Sequence, residues 1–390
     1  MDQVTVTTKN SFGSRIKKSF QSVIFWIILI IAMIGLLYWN EWNFLKTAKS
    51  LDEVRSQVIS VDSNILDIEN NWKLVYTQGM LSTNDQLSDE EFGINWKNNI
   101  IKLIRNVEMY QREEKSNTTT KDNIWWSQEE TTTYTYKKIW SDRLIDSSAF
   151  QETNGHINPN NLSINSMSYT IKNAKLGVFD INDWQFKNMN WKEDLAYNDI
   201  YMSWLSLKHK ESASVQNNQL YIGQWKKFES NNPQIGDIRI SWEIVPIDNI
   251  SIIAEQSWNW FREYQTKVGK VISMVSRGNV SPEQMISDAE KANISMTWIL
   301  RILGMVLMMI WFSMILSILP TLSSVLPMFG WLVGTGVSLV SFGLWFWLWL
   351  LVIAVSWLRY RPITAIIMII ISIATIIAIK IYKKKKINIK

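Results

Sequence analysis

The stretch RILGMVLMMIWFSMILSILPTLSSVLPMFGWLVGTGVSLVSFGLWFWLWLLVIAVSWLR, residues 301–359, carries charge only at its two ends, Arg301 and Arg359. A bilayer core about 30 Å thick takes about 20 apolar residues as helix. The stretch therefore reads as two spans, 297–319 and 331–357, joined around Pro320 and Pro327. A further span is expected at 362–379, after the turn Arg359-Tyr360-Arg361. Near the start of the chain, residues 23–39 are almost wholly apolar and make one more. A cleaved signal peptide is the competing reading there. Tyr38, Trp39 and Trp42 favour a retained anchor, because they resemble an interfacial aromatic belt. The expected fold class is thus an integral membrane α-helical bundle of four spans, one followed by three, bearing a large β-rich α+β extramembrane domain.

Charge gives the expected orientation. The tail 1–22 holds Lys9, Arg15, Lys17 and Lys18, and the tail 380–390 holds the run Lys383, Lys384, Lys385 and Lys386. Basic flanks face the cytoplasm, so both termini are expected there, and residues 40–296 in a lumen or periplasm. Arg359 and Arg361 run against that rule. The middle of the chain is acidic, although the whole has net charge +5. An acidic domain offers nothing to a phosphate backbone, so nucleic acid is excluded as a partner.

With no Cys and two His in 390 residues, disulfides, thiolate metal sites and a cysteine nucleophile are ruled out. A His-built metal site has too few ligands. Residues 40–296 hold no phosphate loop, dinucleotide fingerprint, zincin motif or nucleophile elbow. Catalytic residues, cofactors and metals are all expected to be none. Asp89, Glu90 and Glu91 read as a solvated turn, and His156 as a structural hydrogen-bonding group. The Trp between Trp42 and Trp260 read as core filler with a polar handle. Sequons at Asn117, Asn161, Asn249, Asn279 and Asn293 suit a lumen but arise by chance in an Asn-rich chain.

Within 40–296, residues 40–58 are expected to prolong the first helix and then restart it, because Ser50-Leu51-Asp52-Glu53 has capping-box form. Strands are expected at 131–140, 220–225, 237–245 and 267–275 from their alternation. Residues 95–107 are amphipathic without a clear period. Ser281-Pro282-Glu283 opens a last helix.

The order of several pieces resembles the LUMA (transmembrane protein 43) family. They are NEWNFLKTAKSLDE at 40–53, LSDEEFG at 87–93, VEMYQ at 107–111 and YTYKKIWSDRLIDSSAF at 134–150. GHINP at 155–159, GDIRISWE at 236–243, SPEQMISDAEKANISMTWILR at 281–301 and YRP at 360–362 complete the set. The resemblance implies four spans, one large lumenal domain and no known catalytic residues. It also implies self-association, and residence in the endoplasmic reticulum and inner nuclear membrane of animals beside lamin- and emerin-type partners. In a bacterium the place would be the inner membrane.

Three residue groups carry the expected membrane contacts. Gly330, Gly334 and Ser338 have small-xxx-small spacing for helix packing. Arg301 lies one turn inside its span, where it can snorkel to the headgroups. Lys383, Lys384, Lys385 and Lys386 suit an anionic lipid surface. The function expected first is a non-enzymatic multi-pass scaffold that organises membrane complexes by binding itself and other membrane or envelope proteins. A pore or transport subunit is the alternative, and an envelope carbohydrate-binding module the second alternative.

Overall fold

A computed structural model describes residues 3–10, 12–96, 99–122 and 128–316, followed by helical positions 347, 349–355, 357, 362–363, 365–367, 369–370 and 373. The chain divides into two units. One comprises Met1–Val6, Val54–Thr119 and Thr131–Met285; the other comprises Thr7–Glu53, Thr120–Glu130 and Ile286–Lys390.

The first unit is built on two large sheets, with two further sheets of two strands each, Leu87–Asp89 with Ile94–Trp96 and Tyr264–Gln265 with Val271–Ile272. In one, the strand order is Gln3–Asn10, Gln128–Ser141, Ile100–Asp122, Ile238–Pro246, Gln219–Ile222, Ala213–Gln216. Its centre is the antiparallel pair Ile100–Asp122 and Ile238–Pro246, in register at Ile240 and Val107. Ile238, Ile240, Trp242 and Ile244 are all buried, and the residues between Ile238 and Ile244 alternate with them. That is the period-2 pattern of a strand with one face on the core. Trp242 and its neighbours Phe92 and Tyr197 are among the largest fully buried side chains. Burying each such ring contributes roughly 1.5–3 kcal/mol.

Pro246 and Asn249 end and begin adjacent strands, so the chain passes directly into the second sheet. There Asn249–Ser257 lies between Met274–Arg277 and Leu74–Ser82, buried along nearly its whole length. It also pairs with Trp260–Arg262, which meets Phe179–Asp180, then Lys175–Leu176, then Leu74–Ser82 again. These five strands close into a ring, which leaves no edge within it for another chain to join. Gly177 turns the hairpin of that ring at φ +59°, against the Ser63 carbonyl.

The second unit is mainly helical in its described residues, with the strand ends 7–10, 120–122 and 128–130 besides. Helix α1, Phe12–Gln57, is unbroken through 23–39 and 40–57. The expected restart at Ser50 is absent: its hydroxyl donates to the Lys46 carbonyl from within the helix, 2.9 Å away. A long helix α5, Pro282–Leu316, begins at the Pro that marked it. Three short helices in the first unit are α2 (Asp183–Asn188), α3 (Asp199–Ser203) and α4 (Leu207–Lys210).

The four-span helical bundle is not what the structure shows. The chain is β-rich, and among the described residues a single helix, Pro282–Trp311, is long and apolar enough to cross a membrane. Run length licenses a span without fixing how many helices form or how they lie. Residues 317–346, with Gly330, Gly334 and Ser338, lie outside the described residues, as do Lys383, Lys384, Lys385 and Lys386.

Candidate functional site

In the helical unit α1 and α5 run antiparallel, and their contacts follow a regular ladder. Asn293 Nδ2 donates to the Phe44 carbonyl at 3.1 Å, and Asn40 Nδ2 to the Thr297 carbonyl at 3.4 Å. Leu37 comes next, close enough to Gly304 that a Cβ there would sit 2.7 Å from its Cδ2. Leu37, Met308 and Val352 then form an apolar cluster. Positions 293, 297, 301, 304 and 308 are three or four apart, so they share one face of α5.

Arg301 and Glu41 meet inside this ladder. Arg301 Nε donates to Glu41 Oε1 at 2.5 Å and a terminal nitrogen to Oε2 at 2.7 Å. The Glu41 side chain is 0% exposed and that of Arg301 9%. Trp357 Nε1 donates to the same Oε2 at 2.7 Å, and Trp349 Nε1 to the Arg301 carbonyl at 3.3 Å. The guanidinium lies over the Trp298 ring at 4.8 Å and near those of Trp357 and Phe44. A fork-to-fork pair fixes geometry as well as charge. Rings around the cation replace part of its lost hydration. The carboxylate accepts from three donors, which fixes its position between the helices. The sequence signal that finds this pair is two opposite charges, each just inside or beside the end of an apolar run.

The sheet unit holds a second buried pair. Arg105 donates to both oxygens of Asp89, at 2.8 and 3.1 Å, and its Nε to the Asn165 carbonyl at 3.1 Å. Trp242 Nε1 donates to Asp89 Oδ2 at 3.0 Å. Burial pushes the Asp89 carboxyl up, opposed by the Trp242 and Arg105 contacts. Around the pair, Phe92 lies under the guanidinium at 4.7 Å, and Tyr197 stacks on Trp242 at 4.7 Å while donating to the Phe92 carbonyl. Burial, then the Asp89 charge, push the Tyr197 phenol far up. Asp89 was read as solvated; it is 2% exposed. Glu91 is half-exposed and engages His209 at 3.0 Å, while Glu90 is exposed. The His156 Nδ1 lies 3.1 Å from the Glu152 carbonyl, and its ring stacks on Tyr136.

Not every Trp is core filler. Trp72, Trp204, Trp225 and Trp258 are each more than half exposed. No group of His, Cys, Asp or Glu able to hold a metal occurs among the described residues.

A β-rich domain and a helix long and apolar enough to cross a bilayer, in one chain, are the parts of a membrane protein. Residues 109–362 match the family described as Transmembrane protein 43. The rat protein of that name is 28% identical over 393 residues, covering 96% of this chain and 93% of its own length. The human one is 27% identical, covering 94% and 91%, and the Drosophila homolog 24%, covering 90% and 92%. No solved structure matches. The chain belongs to the transmembrane protein 43 family.

Proposed function

We propose that this protein is a non-enzymatic membrane scaffold that gathers other membrane or envelope proteins and associates with further copies of itself. The observation that carries the reading is the Glu41–Arg301 pair. Its two ionisable groups satisfy one another, Trp357 donates to the carboxylate and Trp349 to the Arg301 carbonyl, and together they hold α1 against α5 in one register. Buried polar pairs of this kind are best attested as devices that set register. A rigid frame is what a partner-organising protein requires.

On this reading the sheet unit is lumenal or periplasmic and the C-terminus cytoplasmic; a cytoplasmic N-terminus does not fit, because Gln3–Asn10 is the edge strand of that sheet. The compartment is the endoplasmic reticulum and inner nuclear membrane in a eukaryote, where lamin- and emerin-type partners would apply, or the inner membrane in a bacterium. Gly330, Gly334 and Ser338 serve helix packing, and Lys383, Lys384, Lys385 and Lys386 touch anionic headgroups. The test is gentle cross-linking of the tagged chain in its own membranes, followed by identification of what copurifies. A reproducible set of membrane proteins, lost in an Arg301→Ala variant that still reaches the membrane, supports the scaffold. Recovery of the chain with lipid alone, together with ion flux from reconstituted vesicles, contradicts it.

A further inference from the structure

The sequons at Asn117, Asn161, Asn249, Asn279 and Asn293 look alike in the sequence, and the fold treats them differently. A glycan acceptor has to reach solvent, on a backbone that can bring the hydroxyl two residues on back toward the Asn amide. Four of the five lack one or the other. Asn293 lies inside α5, and its amide nitrogen donates to the Phe44 carbonyl at 3.1 Å. Asn249 opens the strand Asn249–Ser257; Ser251, the hydroxyl of that sequon, is 0% exposed and donates to the Gly278 carbonyl at 2.9 Å. Asn117 stands in the strand Ile100–Asp122, with Thr119 Oγ1 donating to the Thr131 carbonyl at 3.4 Å. An extended ladder holds side chains two residues apart at about 6.5 Å from one another. Asn279 is exposed, but its neighbours are held. Val280 N donates to Ser251 Oγ at 2.9 Å, the Val280 carbonyl accepts from the Tyr76 hydroxyl at 2.8 Å, and Ser281 Oγ accepts from Gln284 N at 3.2 Å where α5 begins.

Asn161-Leu162-Ser163 lies outside any helix or strand, with Asn161 and Ser163 both exposed. The loop that carries it is tied at both ends to the strand Ile100–Asp122. Asn158, 2% exposed, accepts from Arg112 N at 2.8 Å and donates to the Arg112 and Ile145 carbonyls at 2.9 and 3.2 Å. Beyond the sequon Ile164 is buried, the Asn165 carbonyl accepts from Arg105 Nε at 3.1 Å, and Ser166 Oγ accepts from Val107 N at 3.0 Å. The arch 159–163 is thus pinned at its feet and open at its crown. A glycan on Asn161 leaves all of these ties in place, whereas one on Asn293 would break the Phe44 contact.

We propose that Asn161 carries an N-linked oligosaccharide added in a eukaryotic lumen, which rests on the lumenal placement of the sheet unit given above. The donor is an oligosaccharide carried on a polyprenyl diphosphate, and the transferase is a separate protein that recognises the acceptor through the Ser163 hydroxyl. The Asn161 amide nitrogen forms a bond to the anomeric carbon of the sugar. The bond from that carbon to the diphosphate oxygen breaks, the diphosphate leaves with the electron pair, and the amide gives up one proton. The glycan is bulky and solubilising, so partner proteins dock on another face of the sheet unit.

The test is translation of the full chain with microsomes from endoplasmic reticulum, comparing gel mobility before and after peptide N-glycosidase. A single retarded band is expected, which the glycosidase collapses. Asn161→Gln and Ser163→Ala should each abolish it, and Ser163→Thr should keep it. Leu66→Thr is the reference, because it completes a sequon at Asn64 in a stretch where Asn64, Ile65 and Leu66 are all exposed. A retarded band that survives Asn161→Gln would overturn the proposal by placing the glycan elsewhere. No shift in the unaltered chain, with a shift in the Leu66→Thr variant, would overturn the proposal and leave the lumenal placement standing. No shift in either would overturn both.

Discussion

The guanidinium of Arg301 and the carboxylate of Glu41 face one another through two hydrogen bonds of 2.5 and 2.7 Å, both side chains buried, with Trp298, Trp357 and Phe44 around the guanidinium. Removing one partner strands the other charge. Glu41→Gln or Arg301→Met alone is expected to destabilise the helix pair by about 3–5 kcal/mol. Replacing both with apolar residues should restore most of that loss, since the desolvation cost disappears with the charges. Thermal unfolding in detergent across the double-mutant cycle reads the coupling directly; additive single effects would mean that the two groups act separately.

A different cost applies at Gly177. Its φ of +59° and a Cβ position 2.0 Å from the Ser63 carbonyl oxygen leave no room for a side chain. Gly177→Ala is expected to lose at least about 2 kcal/mol, from the left-handed backbone and from displacing the Ser63 backbone. Substitution at Gly155, where φ is +73° but nothing lies within 4 Å, carries the backbone cost alone. Unfolding midpoints of the two variants should differ accordingly.

Ser50 provides the opposite expectation. A helix cap lost to Ala costs about 1 kcal/mol. Ser50 lies inside α1, with its hydroxyl on the Lys46 carbonyl, so Ser50→Ala should change stability by no more than about 0.5 kcal/mol. A loss of a full cap's worth would show that α1 breaks at this position.

Asp89 makes stability depend on pH. Its folded carboxyl titrates above the ordinary value of 3.8, with burial as the leading cause. Between 3.8 and that raised value the folded chain binds more protons than the unfolded one. This group's contribution to stability therefore falls as pH rises through that interval. Asp89→Asn is expected to remove this slope. Urea unfolding at a series of pH values, with and without the substitution, checks the sign; an unchanged slope would assign it to another group.

The strand at 237–245 was legible because its apolar residues alternate cleanly. Residues 95–107 were not, although Ile101, Leu103 and Val107 lie at alternating positions of one buried face. Arg105 sits on that same face and interrupts the apolar pattern. Its partner Asp89 was read as solvated for the same reason. Each half of a buried ion pair looks like surface in the sequence, and only the fold brings the halves together. Arg301 was singled out and Glu41 was not, because one lies within an apolar run and the other just beyond one. The same limit applies to exposed Trp204 and Trp225, whose type alone reads as core. The number of spans failed differently, since hydropathy counts apolar residues and not the helices they become.

Glu41 and Arg301 lock α1 and α5 in one register. The most direct measurement is disulfide trapping between Cys introduced at Asn40 and Thr297, which touch one turn from the ion pair. In native membranes rapid, near-complete cross-linking within one chain is expected, sharply reduced when Arg301 is changed to Ala. No cross-link in the otherwise unaltered chain, or equal cross-linking with and without Arg301, would contradict it.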